Sequence, residues 1–60
     1  MNWKVARDSI KAEHDRIEAR VRVLRGADQQ GAAVAVILLR AMYDAIDAGL
    51  KDEPHHDHSL

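Results

Sequence analysis

Apolar residues recur at intervals of seven along the first part of the chain: Trp3, Ile10, Ile17 and Leu24, joined by Ala6 and Val21. Seven residues make nearly two helical turns, so these six side chains fall on one stripe about 60° wide. The spacing predicts a helix from Asn2 to Arg25. Asn2 suits its N-cap, because a short polar side chain can accept from the free N–H groups of the first turn. Arg7 and His14 flank the stripe. Lys4, Asp8, Lys11, Asp15, Glu18 and Arg22 form a polar face. Opposite charges four apart on it, such as Lys11 and Asp15, support an exposed helix by about 0.3 kcal/mol each.

Gly26-Ala27-Asp28 reads as a tight turn. Gly26 suits the left-handed residue after a helix, and Asp28 suits the N-cap of the next one. The second helix is expected over residues 29–48, with Gly49 and Leu50 as a C-terminal cap and its apolar follower. The run Val34–Leu39 alone could be a buried strand. The pattern continues through Ala41, Met42, Ala45, Ile46 and Ala48, and that length with that much alanine favours helix. Residues 51–60 carry no such pattern and read as a flexible polar tail. Two helices joined by a short turn pack antiparallel. The expectation is an all-α hairpin over residues 1–50.

The second helix has more apolar surface than one neighbour can cover. A helix packed on one partner needs an apolar arc somewhat over 100° wide. Here the polar sector holds little beyond Gln29, Arg40, Asp44 and Asp47, with Gln30 at its edge, and leaves an apolar arc of roughly 260°. A dimer with the second helices central, a four-helix bundle, would cover the surplus. Leu38, Leu39, Met42, Ala45 and Ile46 are its expected core. Burying three further large aliphatic side chains contributes about 5–8 kcal/mol before association costs. The first helix carries a second stripe of small residues, Val5, Ala12, Ala19 and Val23, opposite the heptad stripe. With Arg16 and Arg20, and with Val36, Ile37 and Arg40 of the second helix, it is the expected contact surface for a partner.

Composition strengthens this picture. A chain of 60 residues buries only about 60% of its unfolded surface. Small folds usually add disulfides, metal or oligomerisation. The chain has no cysteine, which excludes disulfides and thiolate zinc sites and leaves association as the natural reinforcement. The net charge of −1 conceals an asymmetry. Residues 1–25 carry seven cationic and four acidic side chains, a balance of +3; residues 26–60 carry two and six, a balance of −4. Two helices of opposite charge attract each other. The apolar run at 31–39 is far shorter than the roughly 20 residues a membrane span needs, and Arg40, Asp44 and Asp47 follow it. Met1 to Ile10 is too polar for a leader peptide. A cytoplasmic protein is expected.

Catalytic constellations are missing from the pattern. Neither Ser9 nor Ser59 has a base at a suitable spacing, and no glycine-rich phosphate loop occurs. Acid–base carboxylates would need a pocket, and two short helices offer little concavity. His14 and Glu18, four apart beside Glu13, could meet a metal, but their cationic neighbours and the core stripe account for them. His55, His56, His58 and Asp57 could hold a metal loosely; a solvated tail accounts for them as well. Trp3 and Tyr43, the only aromatics, suit core or interface positions. No enzyme, no cofactor, no metal and no small-molecule substrate is expected.

The hairpin, the chain length, the polar tail and the basic first helix resemble the Rop family of plasmid RNA-binding dimers. Ala27-Asp28-Gln29-Gln30 is similar to that family's turn region. The resemblance implies a homodimer binding RNA through the first helix, where Lys4, Lys11 and Arg22 would face phosphate. The aromatic and amide residues of the family's RNA-reading face have no counterparts here. The leading expectation is therefore a small protein–protein interaction module, an inhibitor, sequestering factor or adaptor of a larger regulatory protein or machine. An RNA-binding homodimer and a self-assembly element are the alternatives.

Overall fold

A computed structural model shows two α-helices, α1 (Trp3–Val21) and α2 (Gly26–His58), packed against each other. The structure describes the backbone of residues 1–58 and the side chains of residues 1–51.

The start of α1 follows the sequence. The Asn2 side-chain oxygen accepts from the N–H groups of Lys4 at 3.0 Å and Val5 at 3.2 Å, so two otherwise unpaired donors are satisfied. Its end does not. The helix stops at Val21 rather than Arg25. The Arg20 carbonyl takes the N–H groups of both Val23, at 3.0 Å, and Leu24, at 3.1 Å. This tightened turn closes the helix. The Val21 carbonyl accepts from the Gln29 side-chain amide of α2 at 2.9 Å. The connection is thus residues 22–25, not 26–28. Gly26 does adopt the left-handed conformation, with φ at 59°, but it opens α2 instead of closing α1. Asp28 lies inside the first turn of α2, where its carboxylate meets the positive end of the helix dipole.

α2 also outruns expectation. It continues through Gly49 and Leu50 to His58, and Gly49 has no left-handed φ. The hydrogen-bond ladder absorbs an interior glycine at a cost of about 1 kcal/mol. The expected tail, residues 51–60, begins inside this helix; its side chains from Asp52 onward, the histidines included, lie outside the described residues.

Three contacts set an antiparallel register. Val21 meets Gln29 near the turn, Arg7 meets Asp47 further along, and Trp3 and Leu50 line one groove at the open end. The α1 face turned inward carries Ala6, Arg7, Ile10, His14, Ile17 and Val21, all half-buried. The matching α2 face carries Gln29, Ala32, Val36, Leu39, Tyr43, Ile46, Asp47 and Leu50, also half-buried. Among the described residues no side chain is fully buried. A single layer of two helices covers each stripe from one direction only. The accessible surface is 4755 Å², whereas a compact monomer of 6.7 kDa would expose about 3,900 Å².

Candidate interaction surface

The excess surface has an address. Val34, Ile37, Leu38 and Met42 are 54%, 66%, 58% and 50% exposed, so half or more of each large side chain remains uncovered. Ala41, Ala45 and Ala48 are exposed between and beyond them. On a helix wheel these seven span roughly 140°, directed away from the stripe that meets α1. Between Ala27 and Ala48 no charged residue falls within that arc. Arg40, Asp44 and Asp47 all lie on its flank or on the α1-facing side, and Gln30 is the only large polar side chain within it.

This geometry divides the residues singled out from the sequence. Of the expected dimer core, Leu38, Met42 and Ala45 lie on the outer face, whereas Leu39 and Ile46 are half-buried on the α1-facing stripe. The five share an arc of about 120° on the wheel, and α1 covers one side of it, over Leu39 and Ile46, leaving Leu38, Met42 and Ala45 exposed. Of the expected partner contacts, Ile37 is on the outer face of α2, Val36 is half-buried toward α1, and Arg40 is exposed on the flank. Val36 and Ile37 are adjacent in sequence and both border the polar sector, yet the position of α1 separates them. Val34 and Ala41 stand at the margin of the apolar arc in the sequence pattern, and they belong to the outer face. The spacing 34, 38, 41, 45, 48 is the signal that marks them, since steps of four and three make one continuous seam.

Val5, Ala12, Arg16, Ala19 and Arg20 are exposed on the side of α1 opposite α2, and Val23 is exposed in the connection beyond the end of α1. Two arginines interrupt the small-residue stripe. Arg16 is held on its own helix by Glu13 through two hydrogen bonds, which raise the Arg16 pKa. This face is narrower and more charged than that of α2.

The polar contacts align the hairpin. Arg7 Nη1 donates to Asp47 Oδ1 at 2.9 Å, and Lys51 reaches the other Asp47 oxygen at 3.0 Å. The Asp47 carboxyl is held below the usual carboxylate range, by Lys51 first and Arg7 next. Arg7 is raised in turn, chiefly by Asp47. Arg7–Asp47 is the one ion pair among the described residues that crosses between helices, and it joins the basic α1 to the acidic α2. The Lys11–Asp15 pair, at 2.9 Å, lies within α1. Lys11 therefore already has a carboxylate, and Asp8, Asp15 and Glu18 interleave with Lys4, Lys11 and Arg22 on the polar face. A continuous phosphate-facing stripe is not formed there.

His14, Asp15 and Glu18 bring one ligand atom each to within 4.8 Å of one another. Asp15, not Glu13, is the third member: one turn of helix sets Glu13 beside Arg16 instead. His14 Nδ1 lies 3.0 Å from Asp15 Oδ1, and Lys11 donates to Oδ2. Lys11 first, and His14 after it, hold Asp15 below the usual range. The cluster's charge is thus already compensated within α1. A groove of about 230 Å³ beside it is lined by Lys11, His14, Arg40, Tyr43 and Asp44. Trp3 is half exposed at the open end of the hairpin, in a second groove with Met1, Asn2, Lys4 and Leu50. Among the described residues no helix is long and apolar enough to cross a membrane.

The chain matches no protein-family model, no curated protein and no solved structure. The resemblance to the Rop family rests on architecture and on Ala27-Asp28-Gln29-Gln30, which lie in the first turns of α2 rather than in the connection.

Proposed function

We propose that the chain is a non-enzymatic protein-interaction module that docks a helix of another polypeptide on the outer face of α2. In that role it would inhibit, sequester or adapt a larger protein, with the Val5–Val23 stripe of α1 as a secondary contact. One observation carries the reading: a charge-free apolar face extends from Val34 to Ala48 on the side of α2 that α1 leaves uncovered. Covering the exposed halves of Val34, Ile37, Leu38 and Met42 contributes roughly 1 kcal/mol or more per side chain, and a docked helix gains as much on its own side. Association costs about 4–15 kcal/mol, so contact should depend on concentration. The shallow grooves between the helices favour a binding role over a catalytic one.

A photoreactive residue at position 37 tests this in the host, with position 8 on the polar face of α1 as control. Polypeptide adducts are expected from position 37, absent from position 8, and lost with Leu38→Glu. No adduct of any kind from position 37 would refute the reading. RNA binding is the second reading, and the interleaved acids of α1 do not favour it. Affinity for structured RNA that falls steeply with salt would restore it.

A further inference from the structure

We infer that the occupant of the outer α2 face is a second copy of this chain, docked antiparallel, with the dyad between Leu39 and Arg40. This rests on the proposed interaction role, names the polypeptide on this face, and leaves the α1 stripe of Val5, Ala12 and Ala19 with Arg16 and Arg20 as the surface for a larger protein. The face is complementary to its own reverse. Positions 31, 34, 38, 41, 45 and 48 form one seam with steps of three and four. Reversed about that dyad, Leu38 meets Ala41 of the second copy, Val34 meets Ala45, and Gly31 meets Ala48. Every pair joins a larger residue to a smaller one or two small ones, so the spacing between helix axes stays even along the seam. Adding a Cβ at Gly31 meets nothing within 4 Å in the hairpin, so that side of the seam is open to close approach. A parallel pair would instead stack Leu38 on Leu38 and Ala41 on Ala41, which alternates overfilled and empty layers.

The seam over positions 31–48 is about 25 Å long, and the large side chains on this face, Val34, Ile37, Leu38 and Met42, are each half or more exposed in the hairpin. The antiparallel arrangement also sets the two α2 dipoles head to tail, and over positions 31–48, which the dyad maps onto themselves, no charge of either copy is enclosed, since none lies within the arc.

The chain contains no cysteine, which makes a clean reporter available. Purified Val34→Cys and Ala45→Cys chains are mixed, allowed to exchange and oxidised. The antiparallel seam predicts the mixed disulfide as the dominant product, because like positions on the two copies lie about 16 Å apart along the axis and a disulfide needs Cα atoms within about 7 Å. Sedimentation of the cysteine-free chain should show a dimer, and Leu38→Glu should raise its dissociation constant at least tenfold while circular dichroism at high concentration reports whether the hairpin persists. Dominant 34–34 and 45–45 products would overturn the antiparallel seam. A monomer at all accessible concentrations would overturn self-docking. If position 37 then captured a different polypeptide in the host, the interaction role would survive without the second copy; if it captured nothing, both would fall.

Discussion

Two glycines of one helix should respond to the same substitution with opposite sign. Gly26 opens α2 at φ 59°, and Gly49 lies in its interior with no left-handed φ. A Cβ added at either meets nothing within 4 Å, so packing does not enter and only backbone preference remains. At Gly26 an alanine must hold a left-handed conformation, at a cost of about 1–2 kcal/mol. At Gly49 an alanine gains helix propensity, about 1 kcal/mol in favour of folding. For a chain this small, each 1 kcal/mol moves the melting temperature by about 4–8 °C. Gly26→Ala should therefore melt lower and Gly49→Ala higher than the parent, separated by about 10 °C or more. Circular dichroism at 222 nm, at one chain concentration and again with Leu38→Glu present to remove association, measures both. A lower melting temperature for Gly49→Ala would refute the reasoning. It would mean that Gly49 is left-handed and ends the helix, as its position before Leu50 suggests in the sequence alone.

Other substitutions separate local from tertiary effects. Asn2→Ala should destabilise the hairpin by about 1 kcal/mol in urea titrations, whereas Asn2→Ser should lose little, since serine also caps. Leu39→Ala should cost about 2 kcal/mol of hairpin stability because Leu39 is half-buried toward α1, while Leu38→Ala in the dilute monomer should cost only a few tenths of that; equal costs would mean that the two faces of α2 are assigned wrongly. The folded Asp47 carboxyl is held low by Lys51 and Arg7, so the stabilisation it provides is present above the ordinary carboxylate range and is lost as pH falls through the lowered folded value. Asp47→Asn should reduce that acid-side loss, and an unchanged acid titration of stability would rule the contact out as a contributor.

Much of α1 is legible in the sequence. Its heptad stripe, its Asn2 cap and its Lys11–Asp15 pair depend on neighbours within a turn or two, and these interactions are encoded by spacing. The antiparallel pairing is also legible, because a short connection leaves little choice. The connection itself lies several residues earlier than its glycine suggests. Its position depends on Gln29 reaching across to the Val21 carbonyl, a contact eight residues apart in sequence that no local rule announces. The expected cap at Gly49 fails for a related reason: a glycine before an apolar residue fits both a helix end and a helix interior.

The surplus of apolar surface on α2 follows from the sequence alone, since counting positions around a wheel requires no neighbour. Which part of that surplus stays open was decided only by the tertiary structure. The periodic pattern has no origin of angle, so by sequence Val36, Leu39 and Ile46 look as available as Leu38 and Met42. With Arg7 on Asp47 and α1 against one side, the first three turn inward, and the outer face resolves to Val34, Ile37, Leu38, Ala41, Met42, Ala45 and Ala48.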